Sequence, residues 1–142
     1  MKAEQRRVAV DASACDGWYE TPRGRWIGSR ELDLIRGSLA AHPGESLLDV
    51  GRGTGYFTRG LARQRQREGP VSAIDINPAW VAYARQRDDL DIDWLVGDAQ
   101  ALPFEDKSVD VVVSVTALCC IEDERLAIRE MVRVARRRPV LW

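Results

Sequence analysis

The sequence predicts an α/β fold built on a parallel, doubly wound sheet, and three observations predict it. Short apolar runs alternate along the chain with segments of helical period. The most apolar run, Val109 to Val115, has the composition of a parallel strand covered on both faces. Acidic residues, Asp49, Asp75 and Asp98, recur at or next to the ends of successive runs, which is where open α/β sheets bind ligands.

Taken in order, Met1 to Gly28 holds little periodicity but much aromatic material, with Trp18, Tyr19 and Trp26 around Thr21-Pro22-Arg23-Gly24. This arm serves either as a flap over a site or as cover for the sheet. From Ser29, a plausible N-cap, Leu32, Ile35 and Leu39 follow a helical spacing that His42-Pro43-Gly44 ends. Ser46 to Val50 reads as a buried strand, and Gly55 to about Gln66 as a helix with Phe57 and Leu61 on one face. Gly69-Pro70 breaks the chain before a second strand, Val71 to Ile76. Pro78 opens the next helix, where its missing N–H costs nothing, and Trp80, Val81 and Ala84 form the apolar side. Ile92 to Val96 and Val109 to Val115 are the third and fourth strands. A helix from about Asp123 carries Ile128, Met131, Val132 and Ala135, and Pro139 to Trp142 is enough to begin a strand.

Composition narrows the function. At 142 residues, 45% hydrophobic and 30% charged, the chain suits one globular domain. A net charge of −1 gives no electrostatic case for general nucleic-acid binding. The densest basic run, Arg136 to Arg138, most simply complements the C-terminus of the helix before it. Three cysteines, Cys15, Cys119 and Cys120, suit a reducing compartment rather than a disulfide framework, and the default address is cytoplasmic. With one histidine, His42, and two cysteines adjacent, the spacing of a zinc site is missing, so no metal is expected. No apolar run approaches the roughly 20 residues of a membrane helix.

The stretch that organises the chain is LLDVGRGTGYF, Leu47 to Phe57: strand, glycine turn, helix N-terminus. Glycine tolerates positive φ and lets a ligand lie against bare backbone, while the opening N–H groups of the helix favour an anion. A dinucleotide fingerprint, G-x-G-x-x-G, would need glycine at 56, where Tyr56 stands. The spacing is instead Asp49-x-Gly51-x-Gly53-x-Gly55. At the second strand end Asp75 suits a ribose diol, because a carboxylate accepts two hydrogen bonds at once. Asp98 is placed to accept from an exocyclic amine such as the adenine N6. Each acid also has a plain reading: Asp49 braces its turn, Asp75-Ile76-Asn77-Pro78 forms an Asx turn, and Asp98 solvates a loop.

LLDVGRGTGYF, SAIDINPAWVAYAR, VGDAQALPFEDKSVDVVVSVTALCCIED and AIREMVRVARR, in this order and spacing, resemble the type 11 branch of the class I S-adenosylmethionine-dependent methyltransferases. The arm DASACDGWYETPRGRW resembles the N-terminal segment of some of these enzymes. The resemblance implies a Rossmann-like sheet of order 3-2-1-4-5-7-6, of which this chain carries strands 1–4 and the start of strand 5, with strands 6 and 7 absent. Residues 1–28 would then be an aromatic arm or lid, and 29–142 the S-adenosylmethionine-binding core of a single domain. Gly51, Gly53 and Gly55 would line the methionyl part of the cofactor, with Asp49 beside its amino group. Asp75 would hold the ribose, Ile76 would pack on the adenine, and Asp98 with the Ala99 backbone would meet the ring edge. Thr116 to Leu118, with Trp18 and Tyr19 from the arm, would sit near the sulfonium. Arg52, in a variable slot, and Val10 and Cys15, where relatives often carry aromatic residues, depart from the family pattern.

Methyl transfer to a small-molecule acceptor is the function this implies, with S-adenosylhomocysteine as product. Ser114-Val115-Thr116-Ala117 lacks the Asn-Pro-Pro-Tyr type motif of nucleic-acid amino-methyltransferases. Trp18, Tyr19, Thr116 and Asp123 are candidates near the chemistry, with Glu122 beside Asp123 as a further base candidate. The alternative is a cofactor-binding but inactive shortened module acting through a partner or as a dimer; a nicotinamide-binding protein is the third reading. A homodimer is expected through an exposed strand-4/strand-5 edge, strand 4 being left unpaired.

Overall fold

The computed structural model describes residues 12–51, 53–64 and 69–142. Val10, Arg52 and the predicted helix end at Gln66 lie outside them. The elements are α1 (Ala12–Glu20), α2 (Pro22–Leu39), β1 (Leu47–Val50), α3 (Tyr56–Gln64), β2 (Val71–Asp75), α4 (Pro78–Gln86), β3 (Asp93–Val96), β4 (Val111–Ser114), α5 (Glu124–Val134) and β5 (Val140–Leu141). The sheet has the order β3-β2-β1-β4-β5, every pairing parallel. The order reverses between β1 and β4, which opens a crevice at the C-terminal ends of those two strands.

Strand alternation divides the core. Leu47, Val71, Ala73, Trp94, Val111 and Val113 face one side and pack with Ile35 and Leu39 of α2, Phe57 and Leu61 of α3, and Val81 and Ala84 of α4. Leu48, Val50, Ile74 and Val112 face the other, against Ala127, Met131 and Val134 of α5. β4, between β1 and β5, is buried at every position, as its apolar composition requires.

Two expectations are corrected. The helix predicted from Ser29 begins instead at Pro22, and it passes through Trp26, Gly28 and Ser29 without a break. Thr21 is its N-cap, accepting from the Gly24 N–H at 3.0 Å, and Pro22 occupies the first turn, so a sequence read as a turn is a helix start. β4 is not left unpaired: Val140 and Leu141 pair with Val113 and Ser114, and the Trp142 N–H donates to the Ser114 carbonyl at 2.8 Å. Among the described residues, β5 rather than β4 stands at that side of the sheet.

The arginine run also serves other elements than the helix before it. Arg137 donates to Glu45 at 2.7 Å and reaches the Leu39 and Ala40 carbonyls at the end of α2. Arg136 donates to Asp110 at 2.8 Å. Asp110 also accepts from the Ser46 N–H at 2.9 Å and the Ser46 hydroxyl at 3.1 Å, tying the start of β1 to the approach to β4. At the C-terminus of α5 it is Lys107, from the preceding loop, that donates to the Val132 and Ala135 carbonyls.

The arm is anchored by a buried ion pair. Arg59 of α3 donates to Asp16 of α1 at 2.9 Å, with side chains 9% and 7% exposed, and to the Thr54 carbonyl at 2.7 Å. Removing one member of such a pair strands a charge in the interior.

In urea unfolding, Arg59→Met is expected to lose about 3 kcal/mol, and adding Asp16→Asn to it to restore part of that loss; equal and additive losses would show the pair to be inert. The Arg136 and Ser46 bonds hold the Asp110 carboxyl down from 3.8 to about 2. A depressed folded pKa means that its contribution is present above about pH 4 and disappears as pH falls through about 2. Acid unfolding of Asp110→Asn should therefore depend less steeply on pH in that window.

Candidate functional site at the C-terminal rim of the sheet

The rim is built around the glycine turn. Gly51, Gly53 and Gly55 have φ of 74°, 52° and 80°, values that a side chain disfavours. Each is also walled in by the chain itself. A Cβ on Gly51 would lie 2.5 Å from the Ala117 Cβ, one on Gly53 3.0 Å from the Trp80 ring, and one on Gly55 2.5 Å from the Trp94 ring. Close approach of backbone to the rest of the chain thus requires these glycines. The walls come from the segment after β4, from α4 and from β3, so the turn is packed against parts of the chain on both sides of β1.

Asp49 ends the inward-facing row of β1, fully buried, and its Oδ2 accepts from the Thr58 hydroxyl of α3 at 2.8 Å. It braces the turn from below. Asp75 ends β2 and is half-buried. Its Oδ2 accepts from the Gly53 N–H at 2.7 Å and its Oδ1 from the Asn77 N–H at 2.9 Å. An ionised carboxylate has about four lone-pair sites, so these two bonds leave acceptor capacity at the rim. Asn77 then caps α4, accepting from the Ala79 and Trp80 N–H groups. Beside Asp75, Ile76 is 45% exposed, an apolar side chain held out of the core.

After β3, Asp98 folds onto its own loop, its Oδ1 accepting from the Gln100 N–H at 2.8 Å, and Ala99 is buried against the second core. The Gln100 amide joins Asp98 to Asp123, whose N–H donates to the Gln100 Oε1 at 3.1 Å. The Asp123 carboxylate caps α5 by accepting from the Leu126 N–H at 3.0 Å. This structural duty is one that the sequence reading of Asp123 did not include.

Across the crevice, Ser114, buried, donates to the Val50 carbonyl at 3.0 Å and locks β4 to the last residue before the turn. Thr116 follows with φ of 52°, a left-handed conformation that a β-branched residue adopts only under constraint. Its N–H donates to the Trp142 carbonyl at 2.7 Å, which supplies that constraint. Thr116 is exposed at the rim.

The arm meets the turn through aromatic contacts. Tyr19 stacks on Tyr56, the first residue of α3, with ring centroids 3.8 Å apart, and Trp18 meets Tyr19 edge-on at 4.9 Å. Trp18 itself is 44% exposed. Gly28 gives the Tyr56 hydroxyl room, since a Cβ there would lie 2.5 Å from it. Burial, then Glu31 and Asp16, push the Tyr56 hydroxyl above its ordinary range.

Gly51, Gly53, Asp75 and Thr116 thus gather on the crevice at the order reversal, with Asp98 on the adjoining β3 side. Sequence reasoning missed Arg59, Asp16, Trp80 and Trp94 as the parts that shape the turn. Arg59 carried no signal of this, since two residues from both Phe57 and Leu61 it falls off the face those two share and reads as an exposed arginine.

The profile of the methyltransferase domain family, type 11, matches residues 48–141. Malonyl-[acyl-carrier protein] O-methyltransferase of Serratia marcescens is 35% identical over 134 residues, 93% of this chain and 49% of its own length. The 2-phytyl-1,4-naphtoquinone methyltransferase of Thermosynechococcus vestitus is 41% identical over 93 residues, 64% of this chain and 41% of its own. A chain in the complex between the Haloferax volcanii Trm112 methyltransferase activator and a methyltransferase superposes with a TM-score of 0.72 at 30% identity, covering 87% of this chain and 52% of that one. This chain therefore spans about half or less of the length of these two curated relatives. From the buried Leu48 of β1 to Leu141 of β5, it belongs to the methyltransferase domain family.

Proposed function

We propose that this chain binds S-adenosylmethionine at the C-terminal rim of its sheet and supports methyl transfer to a small-molecule acceptor in the cytoplasm. The observation that carries the reading is the Asp75 carboxylate. It is bonded to the Gly53 N–H of the turn and keeps acceptor capacity where a ribose diol would lie. Family membership supports the same cofactor.

Bound at this rim, the cofactor supplies a methyl group already activated on a sulfonium. The chain's own residues bind and orient. Asp75 accepts from the ribose hydroxyls, and Ile76 offers an exposed apolar face to the adenine. Asp98 and the Ala99 backbone meet the ring edge. Gly51, Gly53 and Gly55 form the floor for the methionyl part, and the buried Asp49 beneath them favours its ammonium group. Thr116, with Trp18 and Tyr19 of the arm, borders the sulfonium side and excludes water. Much of the acceleration then comes from positioning.

Two observations support a small-molecule acceptor. The net charge of −1 gives no electrostatic case for a general nucleic-acid binder. By their names, the two relatives act on malonyl-[acyl-carrier protein] and on a phytylated naphthoquinone rather than on nucleic acid. Pairing of two copies through the outer edge of β5 belongs to the same proposal; a dimer in sedimentation that Leu141→Pro abolishes would support it, because Trp142 and Val140 turn their N–H groups to β4 and Leu141 turns its own outward, and a monomer would remove it.

Calorimetric titration with S-adenosylhomocysteine should show binding to the parent chain and at least about tenfold weaker binding to Asp75→Ala, the loss of a bond of about 1.4 kcal/mol or more. NADH should give no heat. A folded parent that ignores S-adenosylhomocysteine would sink the reading, and binding without methyl transfer to any acceptor tried would favour the inactive, partner-dependent module. Gly51→Ala puts a Cβ 2.5 Å from Ala117 at a φ of 74°, so its unfolding midpoint and its cofactor affinity should both fall, and Ala117→Gly should restore only part of the stability.

A further inference from the structure

Between Thr116 and α5 the chain makes one 3₁₀ turn, Leu118–Cys120, and this turn presents two adjacent cysteines at the rim. Both are reduced and exposed, and their sulfurs lie 3.7 Å apart. The Cys119 thiol also points back at the Thr116 carbonyl, 3.6 Å away. The two thiols converge on one side of the turn although neighbours in sequence need not do so.

Direct closure into a disulfide is disfavoured. Consecutive Cα atoms are about 3.8 Å apart across a trans peptide, short of the roughly 4.4 Å at which ordinary disulfides begin. An atom inserted between the sulfurs meets no such strain. At a bond length of about 2.3 Å, that of zinc to thiolate, an atom joined to both sulfurs at their present separation would subtend roughly 107°. A linear two-coordinate ion would instead need the sulfurs about 4.6 Å apart at that bond length. A tetrahedral ion needs two more protein ligands, and among the described residues no group of three or more His, Cys, Asp or Glu is placed to hold a metal.

A bent, soft centre that bonds to two thiolates and fills its remaining position by itself meets all three conditions. We propose that Cys119 and Cys120 form a chelating dithiol site for monosubstituted trivalent arsenicals, independent of the methyl-transfer reading. Arsenic in this state is soft and pyramidal, and its organic substituent occupies the third position. Capture of an oxide R–As=O forms two As–S bonds and breaks two S–H bonds and the As=O bond. The oxygen leaves as water with both thiol protons, and arsenic stays trivalent, so no oxidant or reductant enters.

Phenylarsine oxide added to the reduced full chain tests the site by intact mass. One adduct per chain is expected, heavier by a phenylarsenic group less two hydrogens. It should be reversed by 2,3-dimercaptopropanol but not by the same thiol concentration of 2-mercaptoethanol. Cys119→Ser and Cys120→Ser should each abolish it, and Cys15→Ser should leave it intact. Both exposed positions should tolerate serine, as circular dichroism will show, and peptide mapping of the parent adduct gives the assignment without a variant. No adduct on the folded chain, an adduct surviving in either single variant, or one lost in Cys15→Ser would overturn the proposal.

Discussion

The glycine turn after β1 has no spare volume, and the rest of the rim depends on that constraint. Three residues sit at positive φ with Ala117, Trp80 and Trp94 pressed against them. The three walls come from different elements, so the turn keeps its shape only when β3, α4 and the segment after β4 are all in place. In return it aims the Gly53 N–H at Asp75 and fixes the rim against the strand order reversal. Packing at this density transmits strain rather than absorbing it. A single added methyl group there reaches several elements at once.

The second dependency is the join between the arm and the turn. Asp16 and Arg59 are removed from water together, and Arg59 spends a second donor on the Thr54 carbonyl inside the turn. The Tyr19–Tyr56 stack lies along the same seam. A buried ion pair of this kind contributes little net stability against an apolar alternative, yet it is costly to break on one side. It therefore suits registration of α1 on α3 better than general stabilisation. Whatever the arm does at the rim, it does from a fixed position over the first turn of α3.

The candidate binding residues also support the fold. Asp75 is both a rim acceptor and the partner of two backbone N–H groups; Asp123 is a helix cap linked to Asp98 through Gln100. Thr116 holds a strained conformation that its bond to the Trp142 carbonyl stabilises, and the segment that follows β5 is thus tied to the rim. The glycine spacing departs from the dinucleotide fingerprint at Tyr56, and membership of the methyltransferase domain family points the same way.

From its own residues the sequence determined the α/β class, the strands and their alternation with helices, the glycine turn, and three acids at successive strand ends. These are local properties: apolar periodicity, turn chemistry and the position of an acid relative to a run need no knowledge of distant neighbours. Helix α2 shows where even local reading slipped, because Thr21-Pro22 opens a helix as readily as it makes a turn. Only the tertiary structure decided that Ala117, Trp80 and Trp94 wall the turn, that Arg59 reaches Asp16 across 43 positions, that Arg137 caps α2, and that Val140 and Leu141 cover β4. Each of those contacts is set by the packing of elements remote in sequence, and the energy of such a contact appears only once both partners have left water together.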